Sequence, residues 1–144
     1  MSSPVEVTHN RQPVIQCDSV YKIFGENAKK MLQGSKGNVD AKTFQDAGCI
    51  VGVNNASFEV HKGDLLVVMG LSGSGKSTLL RCINLLENPN QGRILIGNEE
   101  LMLKPARSGE LQAADVKQLE SLRARVGFVF QNFNLWPHKT ILQN

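Results

Sequence analysis

GLSGSGKST runs from Gly70 to Thr78, directly after LLVVM (65–69) and directly before LLRCINLL (79–86). Gly70, four residues, then Gly75, Lys76 and Ser77 satisfy G-x-x-x-x-G-K-[ST], the pattern of a phosphate-binding loop set between a strand and a helix. Crowded phosphate oxygens need several donors converging from one side. Backbone N–H groups supply them only where the chain wraps closely, so Gly70, Gly73 and Gly75 stand where side chains would obstruct it. The helix that starts near Gly75 adds free N–H groups and the positive end of its dipole. The cradle therefore covers Ser72, Gly73, Ser74, Gly75, Lys76, Ser77 and Thr78. Lys76 brings a full charge to the β- and γ-phosphates, Ser77 a hydroxyl for Mg²⁺, and Thr78 a donor for the α-phosphate. Each hydrogen bond to a charged oxygen contributes about 1.5–3 kcal/mol, so several together outweigh the cost of ordering the loop.

The bulk numbers set bounds on this reading. With 144 residues the chain is about one domain, and a chain of that size buries roughly 70% of its unfolded surface. A hydrophobic content of 41% suits a globular protein. The formal charge of +3 accommodates an anionic ligand and is too small to argue for nucleic acid. Cys17, Cys49 and Cys82 are odd in number and widely spaced, which fits neither a disulfide framework nor a metal site and implies reduced thiols. No apolar run approaches the roughly 18 residues of a membrane span. The opening MSSPVEVTHNRQ lacks the apolar core of a signal peptide, so any membrane role is expected to be peripheral.

Working outward, residues 1–12 read as a loose polar stretch and VIQCDSVYKIF (14–24) as a strand. Residues 25–49 differ in composition and predict one or two short helices, with Asp40 as an N-cap and Gly48 as a stop. IVGVNNASFEVH (50–61) returns to strand character, with Asn54 and Asn55 as an interruption. HKGD (61–64) is a turn signal. LLVVM has the continuous apolar character of a strand buried on both faces. Leu79, Ile83 and Leu86 predict a helix that Pro89 ends. GRILIGNEEL (92–101) reads as a short strand and turn. Asp115 and Gln118 propose a capping box for a helix carrying Val116, Leu119 and Leu122. Arg123 and Arg125 fall in its last turn, where the dipole favours cations. VGFVF (126–130) predicts a second buried strand. The expected class is α/β, a P-loop NTPase core with a mixed sheet and a small antiparallel portion.

The phosphate loop alone fits ATPases, GTPases and small-metabolite kinases; its surroundings are more selective. Residues 59–101, around GLSGSGKST, resemble the nucleotide-binding subunits of ABC transporters. VGFVFQNFNLWPHKTILQN (126–144) resembles the strand and Q-loop of the same family, with Gln131 at the Q-loop glutamine. The resemblance covers most of the chain from Val14 onward and implies ATP and Mg²⁺ as ligands. It implies that Gln131 reaches the metal and the attacking water, a task that suits an amide with both an acceptor and donors. YKIFG (21–25) resembles the segment that carries an adenine-stacking aromatic, which points to Phe24, with Tyr21 as the alternative. Phe133, Leu135, Trp136 and Pro137 resemble the region that faces the membrane permease.

Two subgroups compete for the cargo. The insertion at 25–49 and VMGLSGSGKSTLLR are similar to importers of quaternary amines such as glycine betaine, choline or proline betaine. LQAADVKQLESLRARVGFVFQNFNLWPH is similar to importers of polar amino acids. Either implies a second ATP-binding subunit as partner and a place on the cytoplasmic face of the cell membrane. The family pattern continues with an LSGGQ signature, an acidic pair at the catalytic strand and a switch histidine, none of which occurs before Asn144. The 144 residues are thus expected to be the N-terminal portion of such a subunit: able to bind ATP, inactive in hydrolysis and of marginal stability alone. A truncated module that never turns over stays open beside the transport reading.

Overall fold

The structure, a computed structural model, describes residues 12–132, 137–140 and 142. Its axis is β1 (Pro13–Phe24), rich in the β-branched and aromatic residues that fit a pleated surface. β2 (Ile50–His61) runs antiparallel along one side of it, from Pro13 opposite His61 to Phe24 opposite Ile50. β3 (Gln91–Ile96) runs antiparallel along the other side, with Ile15 opposite Ile96 and Tyr21 opposite Gln91. β4 (Glu99–Glu100) folds back on β3, which completes the order β2-β1-β3-β4. A separate hairpin pairs β5 (Leu103–Pro105) with β6 (Leu111–Ala113). The long β1–β2 ladder is bent rather than broken. Ser19 and Asn55 take left-handed φ angles of 50° and 51°, and the Ser19 N–H donates to Ser57 Oγ at 2.8 Å. The asparagine pair expected to interrupt β2 therefore makes an irregularity inside a continuous strand.

Successive side chains of β1 point to opposite faces, and each face has its own cover. Tyr21 and Ile23 face the insertion between β1 and β2, which forms α1 (Ala28–Ser35) and α2 (Ala41–Asp46) as the sequence predicts. They pack with Ala28, Leu32, Phe44 and Cys49. Asp40 caps α2: its Oδ2 accepts from the Thr43 N–H at 2.9 Å and from Thr43 Oγ1 at 2.6 Å. The insertion leaves and rejoins the sheet at one point, where a methyl group on Gly25 would stand 2.8 Å from the Gly48 carbonyl oxygen.

Cys17 and Val20 face the other way, against Ile94, Ile96, Leu101, Cys82, Ile83 and Leu122. The last three come from α3 (Lys76–Ile83) and α4 (Val116–Ala124). Each fully buried aliphatic side chain contributes about 1.5–3 kcal/mol relative to exposure. Burial pushes the Cys17 and Cys82 thiols up to about 12, so neither supplies a thiolate near neutrality. Among the described residues no group of His, Cys, Asp and Glu could hold a metal ion, and no helix is long and apolar enough to cross a membrane.

Four local expectations are corrected. Residues 65–70 and 126–130 form no strand ladder, and Leu65, Val67, Met69 and Val129 are exposed. A strand of the doubly buried type needs a hydrogen-bonded neighbour on each side, and among the described residues neither run has one. The helix after the phosphate loop ends at Ile83 rather than reaching Leu86, because Leu85 turns left-handed at φ 53°. Arg123 consolidates that end: its Nε and Nη2 donate to the Asn84 and Leu85 carbonyls, both at 2.9 Å. It thus serves the end of α3 as well as the dipole of its own helix, while Arg125 pairs with Glu99 at 2.8 Å. Asp115 does cap α4, accepting from Lys117 and Gln118 N–H groups. Gln118 does not close the box; it binds the Met102 N–H and the Glu100 carbonyl, whose extended segment runs past the start of the helix.

Candidate functional site

The loop that carries GLSGSGKST stands between residues 65–69 and α3. Gly73 and Gly75 take φ angles of 76° and 97°, which side chains resist, and Gly75 caps α3. The loop sits directly on β2. A methyl group on Gly75 would overlap the Gly52 carbonyl, and one on Gly52 would stand 2.8 Å from Phe24 Cε2 and 3.3 Å from Thr78 Cγ2. Gly52 is therefore the point where β2, the phosphate loop and the Phe24 ring meet. Sequence reasoning passed over it; the available signal was a glycine inside a strand, which marks close backbone approach.

Phe24, Gly52 and residues 73–78 line one open cleft of about 200 Å³. The cleft thus brings together two parts 52 residues apart in sequence, the end of β1 at Phe24 and the start of α3 at Lys76. Ser72, expected in the cradle, is exposed and does not line the cleft. Lys76 Nζ turns into the loop, donating to the Gly70 carbonyl at 2.7 Å, the Leu71 carbonyl at 2.5 Å and Ser74 Oγ at 3.3 Å. Its ammonium is thereby held against the loop's own backbone. Ser77 and Thr78 follow in the first turn of the helix, where N–H groups lack intrahelical partners. A backbone turn with glycine at 70, 73 and 75, a cation at its mouth and a helix start behind it suit a phosphate chain. A roomier cavity of about 700 Å³ beside Pro13, Lys62 and Gly97 is lined by no residue of the phosphate loop or of α3. The cleft is identified by the loop that lines it and not by volume.

The two candidate aromatics on β1 lie in different places. Tyr21 is buried in the insertion cluster, whereas Phe24 is partly exposed and lines the cleft. Gln131 is exposed and does not line it. It follows residues 126–130, which among the described residues have no ladder partner. Phe133, Leu135 and Trp136, expected at a permease surface, lie outside the described residues.

Comparison with known proteins adds to the geometry. The ABC transporter family model matches residues 53–144. The trimethylamine N-oxide transport system ATP-binding protein of Pelagibacter ubique is 60% identical over 132 residues, 92% of this chain and 36% of that protein. The histidine transport ATP-binding protein of Pseudomonas aeruginosa is 51% identical over 92 residues, 64% of this chain and 36% of that protein. The glycine betaine transport ATP-binding protein of Bacillus subtilis is 41% identical over 131 residues, 90% of this chain and 29% of that protein. The chain spans about a third of the length of these relatives. With the strand-side loop, the helix behind it and a match over residues 53–144, the chain belongs to the ABC transporter family, with the P-loop α/β class expected of it.

Proposed function

We propose that the protein is the ATP-binding subunit of an ABC importer that couples ATP hydrolysis to uptake of a small methylated amine. The observation that carries the reading is the cleft itself, where a glycine cradle with Lys76 inside it faces Phe24. That spacing offers one wall to a phosphate chain and the other to a purine. In this reading the N–H groups of residues 73–77 hold the β- and γ-phosphates, Thr78 donates to the α-phosphate, and Lys76 exchanges its bonds to Gly70 and Leu71 for phosphate oxygens. Ser77 Oγ and the Gln131 amide are the proposed protein ligands of Mg²⁺, which when bound offsets the charge that builds on the transferred phosphoryl group. Gln131 also orients the attacking water, once it is brought to the cleft. Phe24 stacks on the adenine.

The cargo assignment draws on the two relatives that match over about nine-tenths of the chain and are named for trimethylamine N-oxide and glycine betaine transport. Choline and proline betaine share that chemistry. A polar amino acid is the second reading, favoured by the 51% identity to a histidine transport protein. The protein would work peripherally on the inner face of the membrane. Its proposed partners are a permease, docked through Phe133 to Trp136, and a second ATP-binding subunit.

Two measurements test this. Lys76→Ala should weaken ATP binding more than about tenfold, as expected from losing a charge-assisted contact to phosphate; an affinity within twofold of wild type removes the role given to Lys76. Cells expressing the protein with its transport partners should accumulate labelled trimethylamine N-oxide or glycine betaine in a Lys76-dependent manner. Uptake of histidine instead would move the cargo to the second reading.

A further inference from the structure

We propose that Lys22 is a positioning residue for nucleotide recognition: it holds the Phe24 ring in place against the phosphate loop. The inference rests on the reading of the cleft as a nucleotide site and names a group outside the phosphate-loop and glutamine motifs. Lys22 stands two residues before Phe24 on β1, so both side chains project from the same face of the strand. Its Nζ lies 4.7 Å from the centroid of the Phe24 ring. The side chain is 1% exposed. Nζ donates to the Asn88 carbonyl at 2.9 Å and to Glu110 Oε1 at 2.6 Å, and pairs with Glu87 Oε1 at 2.9 Å. An ammonium has three hydrogens, and these three partners use them all.

The partners come from two other parts of the chain. Glu87 and Asn88 lie in the loop that leaves α3, and Glu110 lies just before β6. The same loop is tied to β1 on either side of Lys22: the Ile23 N–H donates to Asn90 Oδ1 at 2.7 Å and the Asn90 N–H to the Tyr21 carbonyl at 2.8 Å. Because α3 begins at Lys76, the base-side wall and the phosphate-side wall of the cleft are joined at its far end by this cluster. Burial lowers the pKa of the Lys22 ammonium, but Glu110 and Glu87 outweigh it and leave the pKa raised, so the charge persists.

A buried ion cluster serves stability no better than apolar packing of the same shape. What a cation adds here is contact with the face of the Phe24 ring. One face is then occupied and fixed, and stacking is confined to the other. Lys22 thereby restricts where a base can sit relative to the phosphates.

The test compares ATP with inorganic tripolyphosphate, which has the phosphates and no base, on the purified protein by calorimetry. Lys22→Met should weaken ATP about three- to tenfold, the scale of a cation–π contact, and leave tripolyphosphate within about twofold. Lys22→Arg should restore most of the loss. The double variant Lys22→Met with Phe24→Ala should bind ATP no more weakly than Phe24→Ala alone. Equal losses on both ligands, or additive losses in the double variant, would reduce Lys22 to a structural role and overturn the proposal. If Lys22→Met does not fold, Glu110→Gln replaces it, and an unchanged preference for ATP over tripolyphosphate in that variant overturns the proposal. Wild-type protein that binds neither ligand overturns the nucleotide reading together with this one, whereas normal wild-type binding with an indifferent Lys22 overturns this one alone.

Discussion

β1 and residues 65–70 are both strand-like in sequence, and their fates differ. β1 has a partner on each side and a cluster of apolar side chains on each face. Residues 65–70 are the more apolar of the two, stand largely exposed and have no ladder partner among the described residues. Apolar character states what a segment gains when it is covered; it does not supply the cover. β1 receives its neighbours from nearby chain. The insertion closes on itself at Gly25 and Gly48 and returns β2 to it in antiparallel register. A parallel strand depends on more distant partners, and its pattern carries no trace of where they are.

The contrast can be broken most directly by truncating one side chain in each region of the 144-residue chain. Phe44→Ala empties the centre of the insertion cluster and should cost about 3–5 kcal/mol in denaturant unfolding. Leu65→Ala should stay within about 0.5 kcal/mol, as for other exposed sites. A large loss at Leu65 would mean that the run is covered after all. Amide exchange sharpens the same point: β1 and β2 amides should exchange at least about a hundredfold more slowly than those of residues 66–69 and 127–130, which lack ladder partners.

Gly52 tests the seam between the well-packed sheet and the phosphate loop. Gly52→Ala places a methyl group against Phe24 and Thr78 and should cost about 1–3 kcal/mol of stability, as overpacking does. ATP affinity should fall with it, since both walls of the cleft are displaced. A fully stable Gly52→Ala protein with normal affinity would show that the walls do not depend on this contact.

The smallest effect concerns Asp40. The side-chain hydrogen bond from Thr43, then its backbone N–H, hold the Asp40 carboxyl below its ordinary 3.8. A depressed carboxylate contributes stability above its unfolded pKa and loses it as pH falls through the folded one. The cap on α2 should therefore be intact at neutrality and lost only in acid below the ordinary value. The amide resonance of Thr43 would follow this titration, and a midpoint above 3.8 would contradict the cap.

How much of this was legible in the sequence depended on the range of the interaction involved. The caps at Asp40 and Asp115, the turn at 61–64 and both ends of β2 follow from neighbours within a few residues, and sequence reasoning located them. The phosphate loop was legible because its chemistry is carried by adjacent residues. Gly52 and Lys22 were not, since each acquires its meaning from residues elsewhere in the chain: Phe24 and Gly75 for the first, Glu87 and Glu110 for the second. Periodicity extended α3 to Leu86 because it cannot register that Asn84 and Leu85 give their carbonyls to Arg123.

The short connection from Asn84 to Asn90 is held by Arg123 from one side and by Lys22 and Ile23 from the other. A segment gripped by its own main chain at both ends has no slack. Insertions or deletions of even one residue there would misalign those grips with one another. Length variation among natural versions of this protein should therefore spare the passage that follows α3.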